Sequence, residues 1–215
     1  MHVAFIVLLV GILLAAVVWF AALGILQHRR TRMLARKAHQ LGLRFSDQDP
    51  FDVPRRYADF AIVGCGHSPR AHNVTYGRLD GLVVRAFDFR YEIGHGTRRA
   101  ARHYNVAVLE ADVALPAILM WNDVDAEYAP IALRQGQGRI ACWSVLGDES
   151  AAAQLGYACN VQADYGISMQ TVDRALMLYV PASRQRRGYS ELLAMAPAAL
   201  KSLSPARPKH QADDA

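Results

Sequence analysis

Asp88, His95 and His103 are the side chains whose types could do chemistry together, because a carboxylate and an imidazole within hydrogen-bond reach make a general acid/base pair. The simpler reading places Asp88 on the solvent face of a strand, paired with Arg90 or with an arginine across the sheet. Metal binding has more raw material, in Cys65, His67, Cys142, Cys159, His95 and His103. Cys65 and His67 stand close together, yet no second close pair of the CxxC or HxxxH kind follows. A closed zinc site would have to assemble from distant loops, so a loop histidine and a buried cysteine is again the simpler reading. Gly136-Gln137-Gly138 and Gly94-His95-Gly96 lack both phosphate-binding frames, and GxSxG, HExxH and SxxK are absent. No motif fixes an activity, no cofactor is expected, and the reading inclines away from an enzyme.

The element that positions everything else is residues 3–26, 24 consecutive residues without a charged side chain. As a helix they would reach roughly 36 Å, enough for a hydrocarbon core of about 30 Å. The run is too long for a signal peptide and lacks a basic segment before it, while Trp19 and Phe20 fall where an interfacial belt would lie. Arg29, Arg30, Arg32, Arg36 and Lys37 follow it and no Lys or Arg precedes it. The positive-inside rule then predicts an outside N-terminus and a cytoplasmic C-terminal domain. The odd number of cysteines, without CxxC spacing, fits a reducing compartment.

The formal charge of +5 does not indicate nucleic acid. Between Ala38 and Ala206 there are 17 basic and 17 acidic residues, so the excess is the cluster beside the apolar run. Anionic lipid headgroups explain that cluster better, with Arg29, Arg30, Arg32, Arg36 and Lys37 as membrane-surface residues.

Downstream, residues 32–42 read as a short amphipathic helix ended by Gly42, and 57–64 as an apolar element of undetermined type. From Ala71 the period changes to two. Asp80-Gly81 marks a hairpin, and Phe87, Phe89 and Tyr91 share a core face opposite a wet face with Asp88, Arg90 and Glu92. Strands are predicted over 104–109, 117–121, 139–146, 164–170 and 174–180, with 131–138 ambiguous. Helices are predicted from Asp148 to a stop at Gly156, and from Ser190 to about Leu203 with Pro197 inside. The fold class is α+β: an N-terminal transmembrane helix followed by one antiparallel sheet domain with a few packed helices. The expected divisions are 1–27 (anchor), 28–44 (basic juxtamembrane helix), 45–203 (domain) and 204–215 (disordered tail).

The stretches LARKAHQLGLRF, NVTYGRLDGLVVRAFDFRYEIGHGT, LPAILMW, GRIACWSVLGDESAAAQLG and a final YSELLAMAPAALKSL, in this order after an N-terminal span, resemble uncharacterised bacterial, largely actinobacterial, single-pass membrane proteins. Gly77, Gly81, Phe87, Asp88, Phe89 and Tyr91 match their hairpin pattern, and Leu115-Pro116 the next strand. The resemblance implies a membrane-anchored domain of unknown function and carries no catalytic residues with it. The expected protein is a single-pass plasma-membrane protein whose cytoplasmic domain binds a protein or a small molecule. The alternatives are a tethered hydrolase using Asp88 with His95 or His103, or a metal through Cys65 and His67, and a sensor of anionic lipid.

Overall fold

The computed structural model describes residues 2–130, 133, 138–159, 166–183 and 189–203. The ambiguous stretch at 131–138 lies largely outside them, as do the basic loop at 184–188 and the tail at 204–215.

One helix, α1 (His2–Gln40), covers what the sequence divides into an anchor and a separate juxtamembrane helix. Nothing in the sequence between Leu26 and Arg32 breaks a helix, since neither Gly nor Pro occurs there. Gly42 ends it at φ +69°, with Leu43 N–H donating to Ala38 C=O (2.8 Å) and Gly42 N–H to His39 C=O (3.0 Å), a Schellman closure. Residues 34 and 38 of α1 are buried, whereas Ile12, Leu13, Leu14, Val18, Trp19 and Phe20 are each at least 60 % exposed. Among the described residues, no helix is long and apolar enough to cross a membrane. The span expected over 3–26 takes in side chains at 3–8, 23 and 26 that lie outside the described ones.

The remaining strands form one antiparallel sheet. These are β1 (Arg44–Gln48), β2 (His67–Leu79), β3 (Leu82–Ile93), β4 (Ala100–Glu110), β5 (Ile118–Asn122), β6 (Gly138–Ile140), β7 (Trp143–Gly147), β8 (Ser168–Val172) and β9 (Ala175–Pro181). Among the described residues the order is β1-β2-β3-β4-β9-β8-β5-β7-β6. The β2–β3 hairpin turns at Asp80 and Gly81, φ +52° and +83°, the double positive φ that an Asp-Gly turn supplies. The helices are short α2 (Val53–Arg56) and α3 (Ala61–Gly64), then α4 (Glu149–Ala158) and α5 (Ser190–Leu203). Asp148 caps α4 by accepting from Ala151 N–H at 3.0 Å.

Three expectations are corrected. First, most of the face of β3 expected to be wet is covered: Phe87, Phe89 and Tyr91 pack in an aromatic core, and Val84 and Ala86 pack on the other side in an aliphatic one, while Arg90 stays half-exposed. That second layer comes from Leu34 of α1, Leu155 of α4 and Leu192, Leu193 and Leu200 of α5, elements remote in sequence. Second, the single strand expected over 139–146 is the β6–β7 hairpin, turning at Ala141-Cys142 with Ala141 at φ +48°. Third, Gly156 does not stop α4, which continues to Ala158: its φ is helical and a Cβ there would make only ordinary contacts, 3.4 Å from Met120 and 3.6 Å from Trp143.

Candidate functional site

Among the polar assemblies that interrupt the cores, two involve the candidate residues or line a cleft. The first forms where α1 meets the sheet. A bulge in β2 puts Asn73 at φ +53° and shifts the register between His72 and Thr75, which re-aims the Asn73 amide at Asp88. Asn73 Nδ2 donates to Asp88 Oδ2 at 2.8 Å, and Arg30 Nη2 donates to Asp88 Oδ1 at 2.8 Å and to Asn105 Oδ1 at 3.1 Å. Thr31 donates to Asn73 Oδ1 at 3.1 Å. Tyr189, just before α5, donates to the Asn73 carbonyl at 2.8 Å and shares a 2.6 Å hydrogen bond with Thr75. Asp88 is 5 % exposed, and both its oxygens accept charge-assisted or amide hydrogen bonds. This carboxylate ties a helix to three strands.

The histidine nearest Asp88 is His72, with Nε2 4.0 Å from Oδ2. Burial lowers its pKa most, the Asp88 charge opposes this, and Arg30 and Arg90 add to the lowering. His103 stands opposite Arg90, and burial followed by the Arg90 charge lowers its pKa too. His95 lies beyond the end of β3, roughly 20 Å of strand from Asp88, and its ring packs edge-on to His67 at 5.1 Å. The structure therefore does not join Asp88 to His95.

Cys65 Sγ faces the Tyr128 carbonyl at 3.8 Å, and Cys142 Sγ accepts from Asn122 Nδ2 at 3.4 Å. Burial pushes the Cys159 thiol up to about 11. Among the described residues no three His, Cys, Asp or Glu side chains gather as a metal would need. The five basic residues after the apolar run divide: Arg30 turns inward to Asp88, Lys37 donates to Ser190 at 3.0 Å, and Arg29, Arg32 and Arg36 stay exposed beside Met33 and Gln40 along one shallow groove.

The second assembly lies in the aromatic core. Tyr91 stacks on Tyr104 (5.7 Å, 8°) with hydroxyls 3.3 Å apart, and Tyr104 O–H donates to Asp125. Trp121 Nε1 donates to the Asp125 carbonyl at 2.9 Å. A cleft of about 600 Å³ opens beside Tyr91, Cys65, Ile93 and Tyr128, and a smaller one of about 210 Å³ beside Arg102, His103 and Asp125. Burial pushes Tyr91 up to about 12, and raises Asp125 above the usual carboxylate range against the pull of Tyr104 and Arg102. A carboxyl with a raised folded pKa binds more protons folded than unfolded, so its contribution to stability is lost as pH rises above about 4 toward the folded value. Asp125→Asn keeps an acceptor for Tyr104 and removes the titration. Its urea midpoint relative to wild type should rise between pH 4 and pH 7; a difference constant with pH refutes the assignment.

Neither assembly is announced by a motif. The available signal was an asparagine at 73 inside a strand pattern, where Asn is disfavoured unless its backbone does something special.

No family model matches the chain, and no curated protein does. Among solved structures, the chain resembles the crystal structure of the mycobacterial trehalose monomycolate transport factor A, TtfA, with a TM-score of 0.58 and 17 % identity over 83 % of this chain and 98 % of that one. At that identity the likeness establishes a shared fold.

Proposed function

We propose that this protein is a non-catalytic binding module, anchored in a bacterial plasma membrane by the N-terminal part of α1, that serves lipid handling at the membrane surface. The observation that carries the reading is α1 itself. Its C-terminal turns are built into the domain core, while the same unbroken helix continues outward with large apolar side chains exposed all round, Val18, Trp19 and Phe20 each at least 67 %. Monomeric proteins in water rarely expose such a surface, and it coincides with the uncharged run at 3–26. The TtfA likeness adds the lipid theme, since that protein is a transport factor for trehalose monomycolate. The committed state of Asp88 and the separation of His95 from it support binding over catalysis. The basic residues Arg29, Arg32 and Arg36, exposed at the foot of the apolar stretch, favour a cytoplasmic domain that contacts anionic headgroups.

The test is extraction of membranes from cells producing the full chain. Wild-type protein should stay in the pellet through an alkaline carbonate wash. Leu13→Arg with Val17→Arg should release most of it, since each arginine near a span centre costs about 2.5–3.5 kcal/mol. Release of the wild type by the same wash defeats the anchor.

A further inference from the structure

The domain is electrically neutral in sequence, but its charges are not evenly placed on the sheet. Two contacts fix the direction of α1: Thr31 lies against Asn73, and Leu43 lies against Gly77, whose Cβ position is 2.9 Å from Leu43 Cδ2. The helix therefore leaves the sheet toward the end where β2 begins and β3 gives way to β4. At that end Arg70, Arg90 and His103 face one another across β2, β3 and β4, one row beyond His72, Asp88 and Asn105. The β3–β4 connection then adds His95, Arg98 and Arg99, and residues 94–103 contain no acid. Of the acids at this end, Glu92 takes Arg90 at 2.8 Å and also Arg99, Asp88 takes Arg30, Asp125 feels Arg102, and Glu127 lines the cleft beside Tyr91 and Ile93. Arg70, Arg98, Arg99 and His103 are exposed, so α1 does not cover this surface.

The exposed apolar turns of α1, which carry Trp19 and Phe20, continue toward this same end of the sheet.

We infer that this end of the sheet, centred on Arg70, Arg90, Arg98 and Arg99, is a docking surface for the anionic headgroups of the bilayer that α1 enters, and that it holds the domain against the membrane in one orientation. The inference rests on the anchored reading and adds a second, electrostatic contact to it. Positive side chains at a lipid surface are drawn to acidic headgroups, and the attraction fades with salt.

The experiment is hydrogen–deuterium exchange on the full chain in nanodiscs of phosphatidylcholine alone or with 30 % phosphatidylglycerol. Amides of residues 94–103 should exchange at least fivefold more slowly in the anionic discs. The Asp173-Arg174 turn, at the opposite end of the sheet, should be unaffected. High salt should erase the difference, as should Arg70→Ser, Arg98→Ser and Arg99→Ser together, without changing incorporation. Incorporation with equal exchange in both lipids overturns the docking surface and leaves the anchor intact. Failure to enter neutral discs sinks the anchor; salt-sensitive attachment to the anionic discs alone would then still support the basic surface, and attachment to neither would overturn both.

Discussion

Trp121→Ala lowers the unfolding free energy by about 4 kcal/mol, the usual cost of removing a large aromatic side chain from a packed core. Trp121 is 1 % exposed, packs edge-on to Tyr179 at 5.4 Å, and donates its indole N–H to the Asp125 carbonyl. It stands on β5, one strand beyond the β8–β9 hairpin, so its loss opens the aromatic core where the two halves of the sheet meet. For a chain of this size the midpoint of thermal unfolding should fall by roughly 12 °C. Circular dichroism of the detergent-solubilised chain measures it. A fall of less than about 3 °C would show that this part of the core does not bear on global stability. Trp121→Phe should recover more than half of the loss by refilling most of the volume.

Asp88→Ala follows, at about 2 kcal/mol. Breaking a buried pair by removing one partner costs about 3–5 kcal/mol, because the remaining charge loses its compensation. Arg30 is 35 % exposed, so water recovers part of that and the smaller figure applies. The informative comparison is Arg30→Met combined with Asp88→Leu, which removes both charges and should lie within about 1 kcal/mol of wild type. If Asp88 served as a general base instead, Asp88→Ala would leave stability intact and abolish a turnover. The two readings therefore differ in which quantity moves. A double variant as unstable as Asp88→Ala alone would mean that Asn73, Thr31 and Asn105 depend on the charge itself.

Much of the fold was legible because it is written in short-range pattern. The Asp80-Gly81 hairpin follows from two adjacent residues that tolerate positive φ, and α4 begins at Asp148 because its carboxylate meets the first free backbone N–H groups. Gly42 ends α1 as a glycine after a helical run does, and Leu193, Ala196, Leu200 and Leu203 mark the buried stripe of α5. One antiparallel sheet with several helices was likewise readable, since the alternation along β3 and β4 is local. Local pattern fell short at β6–β7, where the Ala141-Cys142 turn carries no glycine or proline to announce it.

Partnership across the sheet was decided only by the tertiary structure. Asp88, Arg90 and Glu92 alternate with aromatics and read as a solvent face, yet Asp88 and Glu92 are buried. The partners that cover or neutralise them, Arg30, Asn105 and Arg99, stand 58, 17 and 7 residues away. The same holds for charge: a neutral count over the domain says nothing about its placement, and strand register gathers Arg70, Arg90 and His103 into one row. The uncharged run at 3–26, the basic residues after it and the local turns and caps could be read from residue order alone, because each depends on neighbours within a few positions. Which of those basic residues faces inward, which histidine stands beside Asp88 and which arginines share a row emerge only from the folded chain, because contacts between distant segments follow from pairing and packing that no local spacing encodes.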